Sequence, residues 1–219
     1  MTLYEYQHLQ QWAEFNQYHL IGVDEAGRGP LLGPVVAGAV LLPSPNFIQG
    51  LACSKALSEK KRDHLFAEIC RSSIAWAISE VGAEHIDRIN ILQASLLAMH
   101  QAVTQLIEKA NLEPKRCFVL VDGNRLPKWH YAGKAIVKGD TFVPAISAGS
   151  ILAKVHRDTW CKQEALHIPW FKLESHKGYP TPEHLALLKQ YGPTRYHRKS
   201  FAPVKALLQQ EQAVQGVLL

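Results

Sequence analysis

Four carboxylates stand where apolar runs of this chain end. Asp24 and Glu25 follow Leu20-Ile21-Gly22-Val23, Asp122 follows Phe118-Val119-Leu120-Val121, and Asp140 follows Ile136-Val137-Lys138-Gly139. A single acid there would be an ordinary turn residue. In α/β sheets, however, sites collect at strand ends, where several carboxylates can converge. Like charges brought together repel and raise their pKa values unless cations neutralise them. Oxygen-only donors select hard Mg²⁺ or Mn²⁺ over zinc. Two such ions about 3.5–4 Å apart would clamp the attacking and leaving oxygens of a phosphodiester. One geometric condition applies. Neighbouring strand residues face opposite sides, so Asp24 and Glu25 share a site only if the strand ends or bulges there.

Gly27-Arg28-Gly29-Pro30 follows the acid pair directly. Glycines flanking an arginine let backbone N–H groups approach a ligand closely, and the arginine suits a phosphate or sugar. No G-K-[ST] follows, so this is not a Walker A loop. The four cysteines (Cys53, Cys70, Cys117, Cys161) form no C-x-x-C, and the histidines form no H-x-x-x-H. A structural zinc site, a disulfide framework and a zincin are therefore not expected, and a reduced, cytoplasmic setting is.

The elements that must position these residues follow from patterning. A short helix opens the chain. His19–Val23 and Val35–Leu42 read as strands around the Gly/Pro-rich loop, with another strand over 73–81. Ser58 can cap a helix to about Cys70. Leu92, Leu96, Met99, Val103, Leu106 and Ile107 share one face of a helix over 91–110. Cys117–Val121 reads as a strand buried on both faces and Ala135–Lys138 as a brief one. Helices are expected over 144–167 and 182–191. The chain is thus an α/β protein with a mixed sheet flanked by helices and a helical C-terminal extension. Residues 1–168 are expected to form the core, and 169–219 a basic extension packed on it.

Charge points to the same partner class. The formal net charge is +5 over 219 residues. Residues 172–205 carry Lys172, Lys177, Lys189, Arg195, Arg198, Lys199 and Lys205 against Glu174 and Glu183, leaving the remainder neutral. A polyanion is the natural partner. No run approaches the roughly eighteen apolar residues of a membrane span, and the N-terminus lacks the basic region of a secretory signal.

With these residues in view, the chain resembles bacterial ribonuclease HII, of the type 2 ribonuclease H family, over nearly its entire length. The matching stretches are IGVDEAGRGPLLGPVVAGAV at 21–40, SKALSEKKR at 54–62 and HIDRINILQASLLAM at 85–99. LVDGN at 120–124, IVKGD at 136–140, PAISAGSILAKVHRD at 144–158, HKGYPT at 176–181 and HRKSFAPVK at 197–205 complete the series. The resemblance implies an RNase H-like fold. It implies hydrolysis of the RNA strand of RNA–DNA hybrids, and nicking 5′ of single ribonucleotides embedded in duplex DNA. Asp24, Glu25, Asp122 and Asp140 would hold a two-ion Mg²⁺ or Mn²⁺ site. That site would activate water and stabilise the departing 3′-oxygen. Gly27, Arg28 and Gly29 would sense the ribose 2′-hydroxyl, and Tyr179 would pack on the following sugar. Lys55, Lys172, Lys177, Arg198 and Lys199 are expected at the nucleic acid, with His176, His184 and His197 available to carry charge near phosphates or simply to pack.

Two departures stand out. The family usually reads D-S-K-K-L where this chain has Cys53-Ser54-Lys55-Ala56-Leu57. It also usually carries paired alanines where Ala148-Gly149 stands here, and a mid-helix glycine costs about 1 kcal/mol against alanine. Three other readings are weighed. Ribonuclease HIII would carry an additional N-terminal domain, for which only about twenty residues precede the first strand. A junction resolvase could share the acids, but a 2′-hydroxyl-sensing loop would be idle in it. A non-enzymatic nucleic-acid-binding module would leave the acids without a purpose. Finally, Gln215-Gly216-Val217-Leu218-Leu219 is similar to short peptides that dock on sliding clamps. A monomer is expected.

Overall fold

The computed structural model describes residues 1–44 and 48–217, with side chains to residue 210; the clamp-like tail peptide lies outside the described side chains. Thr2 starts the first helix, α1 (Leu3–Phe15), with a capping box: its hydroxyl accepts from the Glu5 N–H, and the Glu5 carboxylate accepts from its own N–H. Five strands follow among the described residues: β1 (His19–Ala26), β2 (Val35–Leu41), β3 (Ala75–Val81), β4 (Cys117–Asp122) and β5 (Ala132–Ile136). The helices after α1 are α2 (Glu59–Ser72), α3 (Ala83–Lys109), α4 (Pro144–Ala165), α5 (Leu173–His176), α6 (Pro182–Tyr191) and α7 (Ala202–Val217).

The strands form one mixed sheet in the order β3-β2-β1-β4-β5. β1 runs antiparallel to β2, its hairpin partner, and parallel to β4, which in turn runs parallel to β5. The mixed-sheet α/β expectation is met, and most elements fall where patterning puts them. Two boundaries differ. β5 begins three residues earlier than expected, because Ala132 already pairs with Phe118. It ends at Ile136, since Lys138 takes a left-handed conformation with φ 57° that no strand can continue through. Helix α3 begins before residue 91, but Asn90 interrupts it with φ 66°. The Asn90 Oδ1 accepts from the N–H groups of Leu92 and Gln93, so the expected helix over 91–110 starts at a true N-cap and a shorter helical piece precedes it.

The chain forms two compact units. The first comprises Met1–Ala26, Val36–Glu80 and Ser95–His156 and contains the whole sheet except Val35 and Val81. Its apolar core joins Leu65 and Ile69 of α2 to Val40 of β2 and to Ala148, Ile151 and Leu152 of α4. A second cluster packs Tyr6 of α1 with Leu120, Ile136, Val143 and Ile146. Here α4 lies almost on the backbone of the sheet. A Cβ added at Gly38 would stand 2.4 Å from the Gly149 oxygen, and one at Gly149 would stand 2.5 Å from the Gly38 oxygen. Gly149 therefore does not loosen the helix behind the acids. Its missing side chain is what lets α4 approach β2 this closely.

The second unit gathers Gly27–Val35, Val81–Ala94 and Arg157–Leu219. Leu31 and Leu32 from the loop after β1 pack with Cys161, Ile168, Phe171, Leu173, Leu188 and Val204 in its core.

Candidate active site

The sheet register brings two of the four acids side by side. β1 and β4 are parallel, with Gly22 opposite Leu120 and Val23 opposite Val121. Strand alternation then puts Asp24 and Asp122 one step further along on one face of neighbouring strands. It is the α4 face, since a Cβ on Gly22 would strike Ala145 and Ile146. No bulge is present: β1 continues in regular pairing with β2 through Glu25↔Ala37 and Ala26↔Val36. What ends after Val23 is the pairing with β4. Asp24 and Glu25 thus lie beyond that ladder with only Ala26 of β1 after them, and the Asp24 Oδ1 folds back to accept from the Glu25 N–H at 2.7 Å.

Asp24 is 6% exposed. Burial pushes its carboxyl well above the usual range, and the charges of Glu25 and Asp122 push it further. The Ser150 hydroxyl donates to it and partly offsets this. Asp122 is raised in the same way, by burial first and then by Asp140. Backbone N–H groups of Asp140 and Gly139 act in the opposite direction, with the Asp140 N–H 3.4 Å from Asp122 Oδ1. Asp140 sits in a short 3₁₀ turn after β5, Gly139–Thr141, and its carbonyl accepts from the Ser147 hydroxyl at 2.7 Å. The structure so links Glu25–Asp24–Asp122–Asp140 as one electrostatic chain.

Patterning alone did not single out the serines that support this chain. Ser147 and Ser150 stand three residues apart on α4, hence on one helical face, and both are buried. Ser150 also shares a hydrogen bond of 2.8 Å with buried Ser54. Two hydroxyls at this spacing in an apolar helix were the available signal. From the Cys53–Ala56 segment, the Cys53 thiol hydrogen-bonds Asp140, and burial together with that carboxylate pushes its pKa up. Lys55 is exposed and close enough to Asp122 to lower its pKa.

Gly27, Arg28 and Gly29 belong to the second unit, as does Tyr179. Arg28 and Gly29 are exposed, and Gly27 holds φ 95°, which a side-chain-bearing residue rarely adopts. A Cβ on Gly29 would lie 3.4 Å from the Tyr179 ring, so these two expected substrate groups are neighbours. Tyr179 is 41% exposed. Its segment is tied to the loop by the Leu31 N–H donating to the Gly178 carbonyl at 2.8 Å.

The expectation for Arg198 needs correction. It is not available to a phosphate, because its side chain is 0% exposed and its guanidinium is spent on backbone carbonyls of the glycine loop. Lys199 is exposed, and its backbone N–H donates to Asp87 at 2.9 Å. Lys177 is half-buried. Lys172 is exposed and bridges Glu183 at 2.9 Å.

His176, His184 and His197 are buried, with His184 stacked on His176 and hydrogen-bonded to His197. The His176 Nε2–H donates to the Phe171 carbonyl while its Nδ1 accepts from the Gly178 N–H. The His184 Nδ1–H donates to the Tyr179 carbonyl, which leaves its Nε2 to accept from the His197 Nε2–H at 3.2 Å. The His197 Nδ1 then accepts from the Thr194 N–H. Burial pushes His184 down to about 4 and His197 to about 3. They pack and carry no charge at neutral pH.

Among the described residues, no three His, Cys, Asp or Glu side chains close around a metal position, and no helix is long and apolar enough to cross a membrane. The carboxylates nonetheless fit hard cations. They offer oxygen only, and their mutual repulsion is what a cation would relieve.

A mixed five-stranded sheet with carboxylates at the ends of adjacent parallel strands defines the RNase H-like class. The structure of ribonuclease H2 from Pyrococcus horikoshii OT3 superposes with a TM-score of 0.68 at 25% identity, covering 88% of this chain and 98% of that one. A crystal structure of Bst-RNase HIII in complex with Mn²⁺ gives 0.72 at 16% identity, covering 90% and 71%. Ribonuclease HII of Polaromonas sp. (strain JS666 / ATCC BAA-500) is 53% identical over 189 residues, 86% of this chain and 92% of that protein. The family model described as Ribonuclease HII matches residues 21–204. The chain belongs to the ribonuclease HII family. It is accordingly an enzyme, a ribonuclease H that hydrolyses RNA in RNA–DNA hybrids.

Proposed function

We propose that Asp24, Glu25, Asp122 and Asp140 hold two divalent ions, Mg²⁺ or Mn²⁺, and that the enzyme also nicks 5′ of a single ribonucleotide in duplex DNA. The observation that carries this reading is the placement of Asp24 and Asp122 on one face of adjacent strands, both pushed up by burial and by neighbouring carboxylates. Carboxyls pushed up by burial and by one another are the pattern that clusters at functional sites. Mg²⁺ is commonly held by one or two carboxylates together with substrate phosphates, so an open donor set suits it better than a closed cage. Bound there, such ions supply Lewis acidity toward the phosphodiester and lower the pKa of water.

The chain's own groups do the rest. Ser150 and the Glu25 N–H fix the orientation of the Asp24 carboxylate, and Ser147 fixes the turn that carries Asp140. The Gly27-Arg28-Gly29 loop reads the 2′-hydroxyl, the one group that separates ribose from deoxyribose. Tyr179, beside Gly29, packs on the sugar that follows. Lys55, Lys177 and Lys199 meet phosphates. The products are 3′-hydroxyl and 5′-phosphate ends. The basic C-terminal stretch grips the duplex, and the protein acts as a cytoplasmic monomer. A clamp contact through Gln215–Leu219 belongs to the same reading.

One experiment tests it. The full chain is incubated with Mg²⁺ and duplex DNA bearing one ribonucleotide, and the nick is mapped at nucleotide resolution. A cut immediately 5′ of the ribonucleotide is expected; cleavage of an RNA–DNA hybrid with this duplex left intact would overturn the proposal.

A further inference from the structure

Two arginines far apart in the sequence meet under the glycine loop. Arg157 is 1% exposed and Arg198 0%, and both face the Gly27–Pro34 backbone. The Arg198 guanidinium donates to the carbonyls of Gly27 at 2.6 Å, Arg28 at 3.0 Å, Pro30 at 2.8 Å and Gly33 at 2.9 Å. Its backbone N–H donates to Leu31 at 2.8 Å. Arg157 donates to Pro34 at 3.2 Å, to Leu32 at 3.0 Å and, across to the next segment, to Lys177 at 3.0 Å. Every carbonyl from Gly27 to Pro34 except that of Gly29 is therefore held by one arginine or the other.

A loop rich in glycine and proline cannot do this for itself. Proline brings no donor, and glycine loses more conformational freedom on ordering than any other residue. A planar guanidinium carries five donors in a fixed fork, which a lysine ammonium cannot copy. The arrangement is also costly, since two like charges are buried together. Burial and Arg157 push Arg198 down to about 9, still cationic at neutral pH. A merely structural loop could be held by neutral side chains at lower cost.

We infer that Arg157 and Arg198 are positioning residues for ribonucleotide selection. They hold the Gly27–Gly29 loop and, through the Lys177 carbonyl, the Gly178-Tyr179 segment in the conformation that meets the sugar. Neither touches substrate. The inference rests on the proposed 2′-hydroxyl reading by this loop.

The test uses the full chain and the conservative variant Arg198→Lys, which keeps the charge and loses the fork. Three quantities are measured: kcat/KM on duplex DNA with one ribonucleotide, the inhibition constant of the same duplex made wholly of DNA, and amide hydrogen exchange. The expected result is a fall in kcat/KM approaching about a hundredfold, the order that a small misplacement can cost. The all-DNA competitor keeps its inhibition constant. Exchange accelerates in peptides covering 26–35 and 176–180, while peptides from β1, β2 and β4 keep their protection. Unchanged kcat/KM, or equal loss toward both duplexes with exchange rising throughout, overturns the inference. Arg157→Lys removes donors to Leu32, Pro34 and Lys177 and carries the same expectation, so it decides the matter where Arg198→Lys does not fold. Should the wild-type chain fail to cut at the ribonucleotide, the functional reading falls. The exchange data still judge whether the arginines hold the loop.

Discussion

At the scale of single residues, the acid site is a place where the protein works against its own stability. Asp24 is buried beside Glu25 and Asp122, and its charged form is disfavoured by both burial and repulsion. Asp24→Asn removes that charge at nearly constant shape. The expected outcome is loss of Mg²⁺-dependent cleavage together with a higher Tm in the absence of divalent ions. For a chain of this length each kcal/mol relieved appears as about 2–4 °C. Adding Mg²⁺ should raise the Tm of the wild type and leave the Asn variant nearly unmoved, because a ligand stabilises only the form that binds it. Thermal denaturation of both proteins with and without Mg²⁺ checks this; equal shifts in the two would remove Asp24 from the ion site. Arg28→Ala, at the exposed tip of the loop, should weaken selection of the ribonucleotide duplex, and undiminished selection in competition assays would refute its sensing role.

Packing of helix against sheet governs the element scale. Glycine at 149 looks unfavourable in a helix, where alanine gains about 1 kcal/mol. Against that stands a Cβ only 2.5 Å from the Gly38 carbonyl, a backbone atom that cannot swing aside. Overpacking of this kind costs typically about 1–3 kcal/mol, so the close contact outweighs the propensity. Gly149→Ala is expected to lower the midpoint of urea unfolding, and an unchanged or higher midpoint would show that α4 can lift from β2 freely. The same comparison explains what patterning could not reach. A lone sequence shows that 144–167 is helical; it carries no mark of how near that helix lies to a strand about a hundred residues away.

For the molecule as a whole, burial of His184 and His197 is expected to make stability fall in acid. His184 and His197 are neutral and depressed to about 4 and about 3, against the usual 6.5. In this window the unfolded chain binds more protons than the folded one, so stability rises with pH. The contribution is complete above about 6.5 and is lost as pH falls toward 4 and 3. His184→Gln can still offer a donor to the Tyr179 carbonyl but does not titrate; it should flatten the fall in urea midpoint between pH 6.5 and 4, and a wild-type slope in that variant would show that other groups cause it. Charge acts over the whole surface as well. Each phosphate contact contributes about −0.9 to the slope of log affinity against log salt. Lys199→Ala should therefore make the slope shallower by about that amount in duplex-binding titrations at several salt concentrations, and an identical slope would take Lys199 off the nucleic acid.

Much of this was readable from residue types and order. The carboxylates at the ends of apolar runs, the glycine loop after them, the basic stretch over 172–205 and the periodicity of most helices and strands are local properties. They point to hard-cation chemistry, a mixed α/β sheet and a polyanionic partner before any contact is known. Tertiary structure alone decided which charges face outward. Arg198 counts as one more base in the sequence, yet folding buries it under the loop, where its fork donates to four of the loop's carbonyls. Three histidines are neutral through burial, and Gly149 is required by a strand it meets only in space. Strand pairing, too, set Asp24 beside Asp122. Composition determines how much charge a chain has; burial and hydrogen-bond partners, which come from residues distant in sequence, determine where that charge can act.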